Sequence, residues 1–238
     1  CGNACRKAVT DCQKTAPITR ESLTDWRVAT LARERDGQNA IVADEEALLE
    51  SRRSLLADDA NCSDVWVFGY GSLICNPVIA FEKQLMARAY GYHRRFCLWT
   101  QIGRGSPDCP GLVLSLDRGG SCAGVAFKLS AERAIAELDL LWRREMLTLS
   151  YQPRWITLHT VEGTKRAVAF VADRQHPAYA PPMPFDYLVT VIASAVGFNG
   201  FCRDYLFDTL GGMRNCGIRD RSMEKLARAV VERLASAE

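Results

Sequence analysis

The sequence predicts an α+β fold, a small closed β-barrel with helices around it. Short apolar runs of strand type follow one another from residue 65 onward. They do not alternate regularly with helical stretches, which argues against a parallel sheet built from βαβ units. Before them, residues 20–63 are rich in Ala, Leu, Arg and Glu, the composition of helix rather than strand.

In that first stretch Leu48, Leu49, Leu55 and Leu56 recur at helical spacing. Residues 1–63 therefore read as an N-terminal helical extension, its ends disordered or of vector origin, with a turn-like boundary at Asp58-Asp59-Ala60-Asn61. The main domain is expected over 64–238. Val65-Trp66-Val67-Phe68 is an unbroken apolar run, the pattern of a buried strand, and Gly69 ends it. Further strands are predicted at 92–99, 112–116, 123–129, 155–160 and 167–171, with Gly119-Gly120 as a hairpin turn. Ser130 can cap a helix whose first turn holds Glu132 and whose apolar face is Ile135, Leu138 and Trp142. A second helix is predicted at 184–195. The last one carries Met223, Leu226, Val230 and Leu234 on one stripe.

A chain of 238 residues, 48% hydrophobic and 24% charged, is enough for one good core or at most two small domains. Thirty Lys and Arg against 28 Asp and Glu leave a net charge of +2, which gives no electrostatic reason to expect nucleic acid or an anionic membrane as partner. The apolar stretch at 188–198 is far shorter than the roughly 20 residues a membrane helix needs. The opening Cys1-Gly2-Asn3-Ala4-Cys5 lacks the apolar region of a secretory signal, so a cytoplasmic protein is expected. Its first residue is not Met, so the first dozen positions read as a fragment or remnant. Ten cysteines are scattered without a Cys-x-x-Cys pair or a Cys/His cluster at zinc spacing, and reduced thiols are the expectation. Three histidines, His93, His159 and His176, are not spaced as a metal pair. No metal and no cofactor are expected.

The loop Gly69-Tyr70-Gly71-Ser72-Leu73 follows a buried strand directly, and its glycines let backbone N–H groups approach a ligand. It resembles the start of a dinucleotide fingerprint only superficially, because Ile74 replaces the third glycine and Pro77 follows. By itself the loop is equally a plain strand-ending turn. Glu145 closes an apolar helical segment, preceded by Arg143 and Arg144. Alone, such a Glu is usually a solvated partner of its arginines. Glu137 lies two helical turns earlier, so two carboxylates could approach one cavity. No Gly-x-Ser-x-Gly elbow presents a nucleophile.

Taken in order, several motifs resemble the ChaC family of glutathione-specific gamma-glutamylcyclotransferases. The strand and loop at 65–74 come first, then Gly91-Tyr92-His93-Arg94-Arg95-Phe96-Cys97, Gly103-Arg104-Gly105 and Pro110-Gly111. Leu140-Leu141-Trp142-Arg143-Arg144-Glu145-Met146, Asp173-Arg174-Gln175-His176-Pro177-Ala178-Tyr179 and Tyr205-Leu206-Phe207 complete the series. The resemblance covers roughly 65–235. It implies a gamma-glutamylcyclotransferase-like small mixed β-barrel with flanking helices. It also implies a lyase that closes the γ-glutamyl arm of glutathione into 5-oxoproline and releases Cys-Gly. Glu145 would be the general acid/base, and Tyr70, Gly71, Ser72, Leu73 and Tyr205 would bind substrate. Other γ-glutamyl amino acids or amines as substrates, and a non-catalytic interaction module on the same fold, stay open as alternatives. Monomer and dimer stay open too.

Two departures stand out: Leu112 where many members carry Arg, and Cys75 where they often have Trp. The first could alter how the far end of the substrate is held. The chemistry adds one more expectation. A working base needs Glu145 in an apolar cavity with Arg143 and Arg144 turned away, since an ion pair would lower its pKa.

Overall fold

The computed structural model describes residues 18–36, 42–57 and 64–236. Three helices come first: α1 (Arg20–Thr24), α2 (Arg27–Asp36) and α3 (Glu45–Ala57). The barrel follows with β1 (Trp66–Gly69), a helical turn α4 (Ser72–Cys75), and the long strands β2 (Lys83–Thr100) and β3 (Gly111–Lys128). Helix α5 (Ala134–Glu145) leads into β4 (Tyr151–Thr160) and β5 (Gly163–Ala172). Helix α6 (Phe185–Ser194), a ribbon of β6 (Val196–Gly197) and β7 (Gly200–Phe201), α7 (Cys202–Asn215) and α8 (Arg221–Ala235) complete the chain.

The strands close in the order β1-β3-β2-β4-β5. Antiparallel ladders join each neighbour, and the parallel pairing of Trp66 with Ala167 and Val67 with Val168 shuts the barrel between β5 and β1. The barrel is therefore mixed. Alternation along each strand explains why the apolar runs are unbroken. Trp66, Phe68, Ala167, Ala169 and Val171 pack with Ala87, Ala89, Leu116, Cys122 and Leu158 in one core, the barrel interior. Alanines suit that narrow space. The opposite faces, Val67, Val125, Phe127, Val168 and Phe170, meet Leu138, Leu141 and Trp142 of α5 and Leu48 and Leu55 of α3. A third core joins Leu112 and Leu114 of β3 to α6, α7 and α8 through Ile192, Leu206, Leu210, Met223 and Val230.

Several local expectations are corrected. Gly119 and Gly120 do not turn a hairpin. Both have positive φ, but they lie inside one continuous β3, opposite a register shift between Tyr90 and Tyr92 of β2, and so form a bulge. The hairpin loop is instead 101–110. Ser130 is not the helix cap: α5 starts at Ala134 with Arg133 as its N-cap and no side-chain cap bond. Ile135 is 42% exposed, and Leu138, Leu141 and Trp142 form the buried stripe. Cys75, Cys97, Cys122, Cys202 and Cys216 are free thiols. Cys109 is disulfide-bonded, which overturns the all-thiol reading.

Candidate active site

Strand β1 aims the chain at the mouth of the barrel, and Gly69 is needed there for space. A Cβ at Gly69 would meet the Phe127 ring at 2.7 Å. The chain then turns through Tyr70 and Gly71 into α4, whose opening amides have no partner within the turn. Arg94, its side chain 2% exposed, holds this turn from inside. Its Nε donates to the Tyr70 carbonyl, its Nη2 to the Ala123 carbonyl at 2.5 Å, and its Nη1 to Asp220 at 2.7 Å. Asp220 in turn caps α8 through the amides of Ser222 and Met223. One buried guanidinium thus ties the loop, β3 and the last helix together. Leu73 is buried in the core, so only its backbone is available to a ligand.

Glu145 is the last residue of α5, with 13% of its side chain exposed. Its Oε1 is enclosed and has no hydrogen-bond donor. A buried carboxylate oxygen without a donor is rare and needs a reason. Burial pushes its carboxyl above the ordinary range, against the opposing pull of Arg144. Arg143 points away as expected, lying over the Trp26 ring and donating to the carbonyls of Leu23 and Thr24. Arg144 does not. Its Nε sits 3.0 Å from Glu145 Oε1, but without the alignment of a hydrogen bond. Its remaining N–H groups are drawn off to the Asn76 carbonyl and to Ser72 Oγ, at 2.8 Å for the latter. The expectation that both arginines turn away therefore fails at Arg144. The carboxylate stays basic because desolvation outweighs a misaligned cation.

Around Glu145 the structure brings together Tyr70, Gly71, Ser72, Leu73 and Tyr205, the residues the sequence singled out, about a chamber of roughly 20 Å³. That is room for about one water. Tyr151 also lines it and was not foreseen. It opens β4 six residues beyond Glu145 and reads in the sequence as an ordinary strand aromatic. Tyr70 donates its hydroxyl proton to the Phe170 carbonyl at 2.6 Å, and Tyr151 donates to the Leu114 carbonyl at 2.9 Å. Burial, with the nearby Glu145 charge, raises the pKa of Tyr70, Tyr151 and Tyr205, so all three are neutral. Ser72, Glu145, Tyr151 and Tyr205 also line a wide cleft of about 1640 Å³, so cleft and chamber share a wall. Ile18 and Val28 of the N-terminal segment form part of the cleft wall.

Other expected positions are not at the chamber. Glu137 is fully buried at the far end of α5, gripped by Arg20 at 2.6 and 2.8 Å and by the Ala80 amide at 2.9 Å. It is a structural anchor and shares no cavity with Glu145. Leu112 is wholly buried in the core under α7 and does not face the cleft. Cys75 does line the cleft. The 173–179 segment is a clamp: Arg174, Arg95 and Tyr179 converge on Asp117, with contacts of 2.6 to 3.2 Å. Burial works to raise that carboxyl, but these partners win and hold it at about 2. Among the described residues no group of three His, Cys, Asp or Glu is placed to hold a metal, and no helix is long and apolar enough to cross a membrane.

The fold is a closed mixed barrel with helices packed around it. It is shared with a solved yeast gamma-glutamyl cyclotransferase specific to glutathione, at a TM-score of 0.67 and 21% identity, over 71% of this chain and 96% of that one. The chain belongs to the ChaC-like protein family, whose profile matches residues 65–233. Among its relatives is the glutathione-specific gamma-glutamylcyclotransferase of Escherichia coli K12, 38% identical over 84% of this chain and 90% of that protein. The glutathione-specific gamma-glutamylcyclotransferase 1 of mouse is 33% identical over 72% of this chain and 80% of its own.

Proposed function

We propose that the protein cleaves glutathione by cyclising its γ-glutamyl group, with Glu145 moving the protons. The α-amino group of the substrate attacks its own γ-carbonyl, the five-membered lactam closes, and Cys-Gly leaves. The products are 5-oxoproline and the dipeptide. Neither water nor an enzyme nucleophile enters, so a site without a triad is sufficient.

The protein's first task is to hold the glutamyl arm in its ring-closing conformer. The backbone of residues 71–73 borders the chamber and offers amide donors to the substrate's oxygens. The second task is proton transfer. An α-ammonium cannot attack, so Glu145 takes one proton from it and returns one to the departing amide nitrogen. The tyrosines make the chamber selective for that ammonium. Because Tyr70 and Tyr151 spend their own protons on backbone carbonyls, their oxygens are left as acceptors beside the carboxylate. An ordinary Glu near pKa 4.3 is a weak base toward an amine near about 8, and each unit of upward shift narrows the gap by about 1.4 kcal/mol. The enclosed, donorless Oε1 of Glu145 is the observation that carries this reading.

The test is a product assay on purified protein with glutathione, following 5-oxoproline and Cys-Gly together. Equimolar release is expected. Release of free glutamate instead would mean hydrolysis and would overturn the cyclisation.

A further inference from the structure

The chamber accounts for no more than the reacting amino end of the γ-glutamyl group and leaves the rest of a much larger cleft unassigned. Two arginines are among the residues lining that cleft, Arg104 and Arg144. Arg144 is committed to Asn76, Ser72 and Glu145 beside the chamber. Arg104 stands on the other side of Tyr205. Its guanidinium lies 5.9 Å from the centre of the Tyr205 ring, while the hydroxyl of the same tyrosine is 3.5 Å from where a Cβ of Gly71 would be. Tyr205 thus spans from the glutamyl loop to Arg104.

The loop presenting Arg104 is fixed by close backbone packing. Gly105 has the Thr100 carbonyl 2.2 Å from the position of a Cβ, and at Gly197 that position is 2.4 Å from the Gly103 carbonyl. The Asn199 amide donates to the Gly103 carbonyl at 2.7 Å. Arg104 Nη1 donates to the Phe201 carbonyl at 3.1 Å, which steadies the guanidinium. Its protein acid is a distant one: Asp208, 68% exposed, reaches only 4.0 Å from Nη2. A guanidinium that is 25% exposed, steadied on one edge and weakly paired on the other, suits a ligand carboxylate.

We infer that Arg104 binds the C-terminal carboxylate of the leaving dipeptide and so selects γ-glutamyl dipeptides over γ-glutamyl amines. This rests on the cyclisation reading above. Two extended residues span about 7 Å, and Tyr205 places its hydroxyl beside the glutamyl loop and its ring beside Arg104. Arg104 is a specificity-determining residue here and takes no part in proton transfer.

The experiment compares kcat and KM for glutathione and for glutathione amidated at its glycine carboxylate, in wild type and in Arg104→Gln, with 5-oxoproline as readout. Wild type should lose about ten- to a hundredfold in kcat/KM on amidation, carried by KM, the scale of one charge-assisted hydrogen bond. Arg104→Gln should lose as much on glutathione and then barely distinguish the two substrates. Arg104→Lys, which keeps the charge, should retain part of the discrimination. Equal treatment of both substrates by wild type would overturn the proposal without any variant having to fold. So would full discrimination persisting in folded Arg104→Gln. If wild type released no 5-oxoproline from either substrate, the cyclisation reading would fail first and this inference with it.

Discussion

Replacing Glu145 by Gln removes one charge and leaves the shape of the chamber, so the variant should fold while turnover falls by about two to three decades. Retention of a tenth of the wild-type rate would remove Glu145 from its role. The pH profile tests the same residue independently. Burial raises its carboxyl, and the base works only when ionised. Activity should therefore be full above that raised value and fall as pH drops through it, so the acid limb of kcat/KM lies above the ordinary Glu value of 4.5. Ser72 enters this balance through Arg144, whose Nη2 it holds at 2.8 Å. Ser72→Ala frees that guanidinium to align with the carboxylate, and the acid limb should move to lower pH. An unmoved limb would show that Ser72 does not restrain Arg144. At this scale the sequence was informative about Glu145 only through its neighbours in several separated motifs. The position of Arg144 was not legible. Adjacent residues on a helix face different ways, but here the helix ends at Glu145, and two acceptors contributed by the 72–76 turn draw Arg144 to the same wall.

Glycines show how far element-level reading reaches. The run 65–68 and its terminating Gly69 were legible because a strand buried on both faces leaves an unbroken apolar signature. Gly119-Gly120 was misread because paired glycines at positive φ serve a hairpin turn and a bulge equally well, and only the shared partner β2 distinguishes them. The start of α5 was missed for a related reason. Ser130 has the right chemistry for a cap, but residues 131–133 form a turn before the helix begins. Within the functional loop the two glycines have different duties, and mutation can separate them. A methyl at Gly69 collides with Phe127, so Gly69→Ala should lower the melting temperature. A methyl at Gly71 meets Tyr205 Oη at 3.5 Å and Leu114 Cβ at 3.7 Å, which are ordinary contacts. Gly71→Ala should thus melt like wild type yet lose most of its activity, because the methyl fills the chamber meant for the reacting end of the γ-glutamyl group. Full activity in Gly71→Ala would make the loop a plain strand-ending turn.

Across the whole molecule, the composition shift near residue 60 left open whether the helical extension packs against the main domain or is loosely tethered to it. The contacts of residues 18–28 tell against loose tethering: Ile18 and Val28 line the cleft, Asn76 donates to the Ile18 carbonyl, and Arg143 stacks on Trp26. Long-range ion pairs of this kind leave no local pattern, so Arg20 gripping Glu137 across 117 positions could not be read from the sequence. That pair provides a test of the docking. Burial tends to raise the Glu137 carboxyl, but Arg20 and the Ala80 amide prevail and hold it below the usual range. Its contribution to stability is therefore present above the unfolded value of 4.5 and is lost as pH falls through the lower folded value. In Arg20→Ala the carboxyl keeps its burial and loses its cation, so its pKa rises and the sign reverses, stability now declining as pH climbs. Arg20 is 43% exposed, so the cost at neutral pH should fall between surface and buried pairs, at about 1–3 kcal/mol. For a chain of this size that is a loss of roughly 2–12 °C in melting temperature. The gap between wild type and Arg20→Ala should be small near pH 3 and widen toward pH 7, and KM should rise as the Ile18 wall loosens. A melting difference that stayed constant across that pH range would show that Glu137 does not depend on Arg20 for its charge, and that the N-terminal helices are held by other contacts.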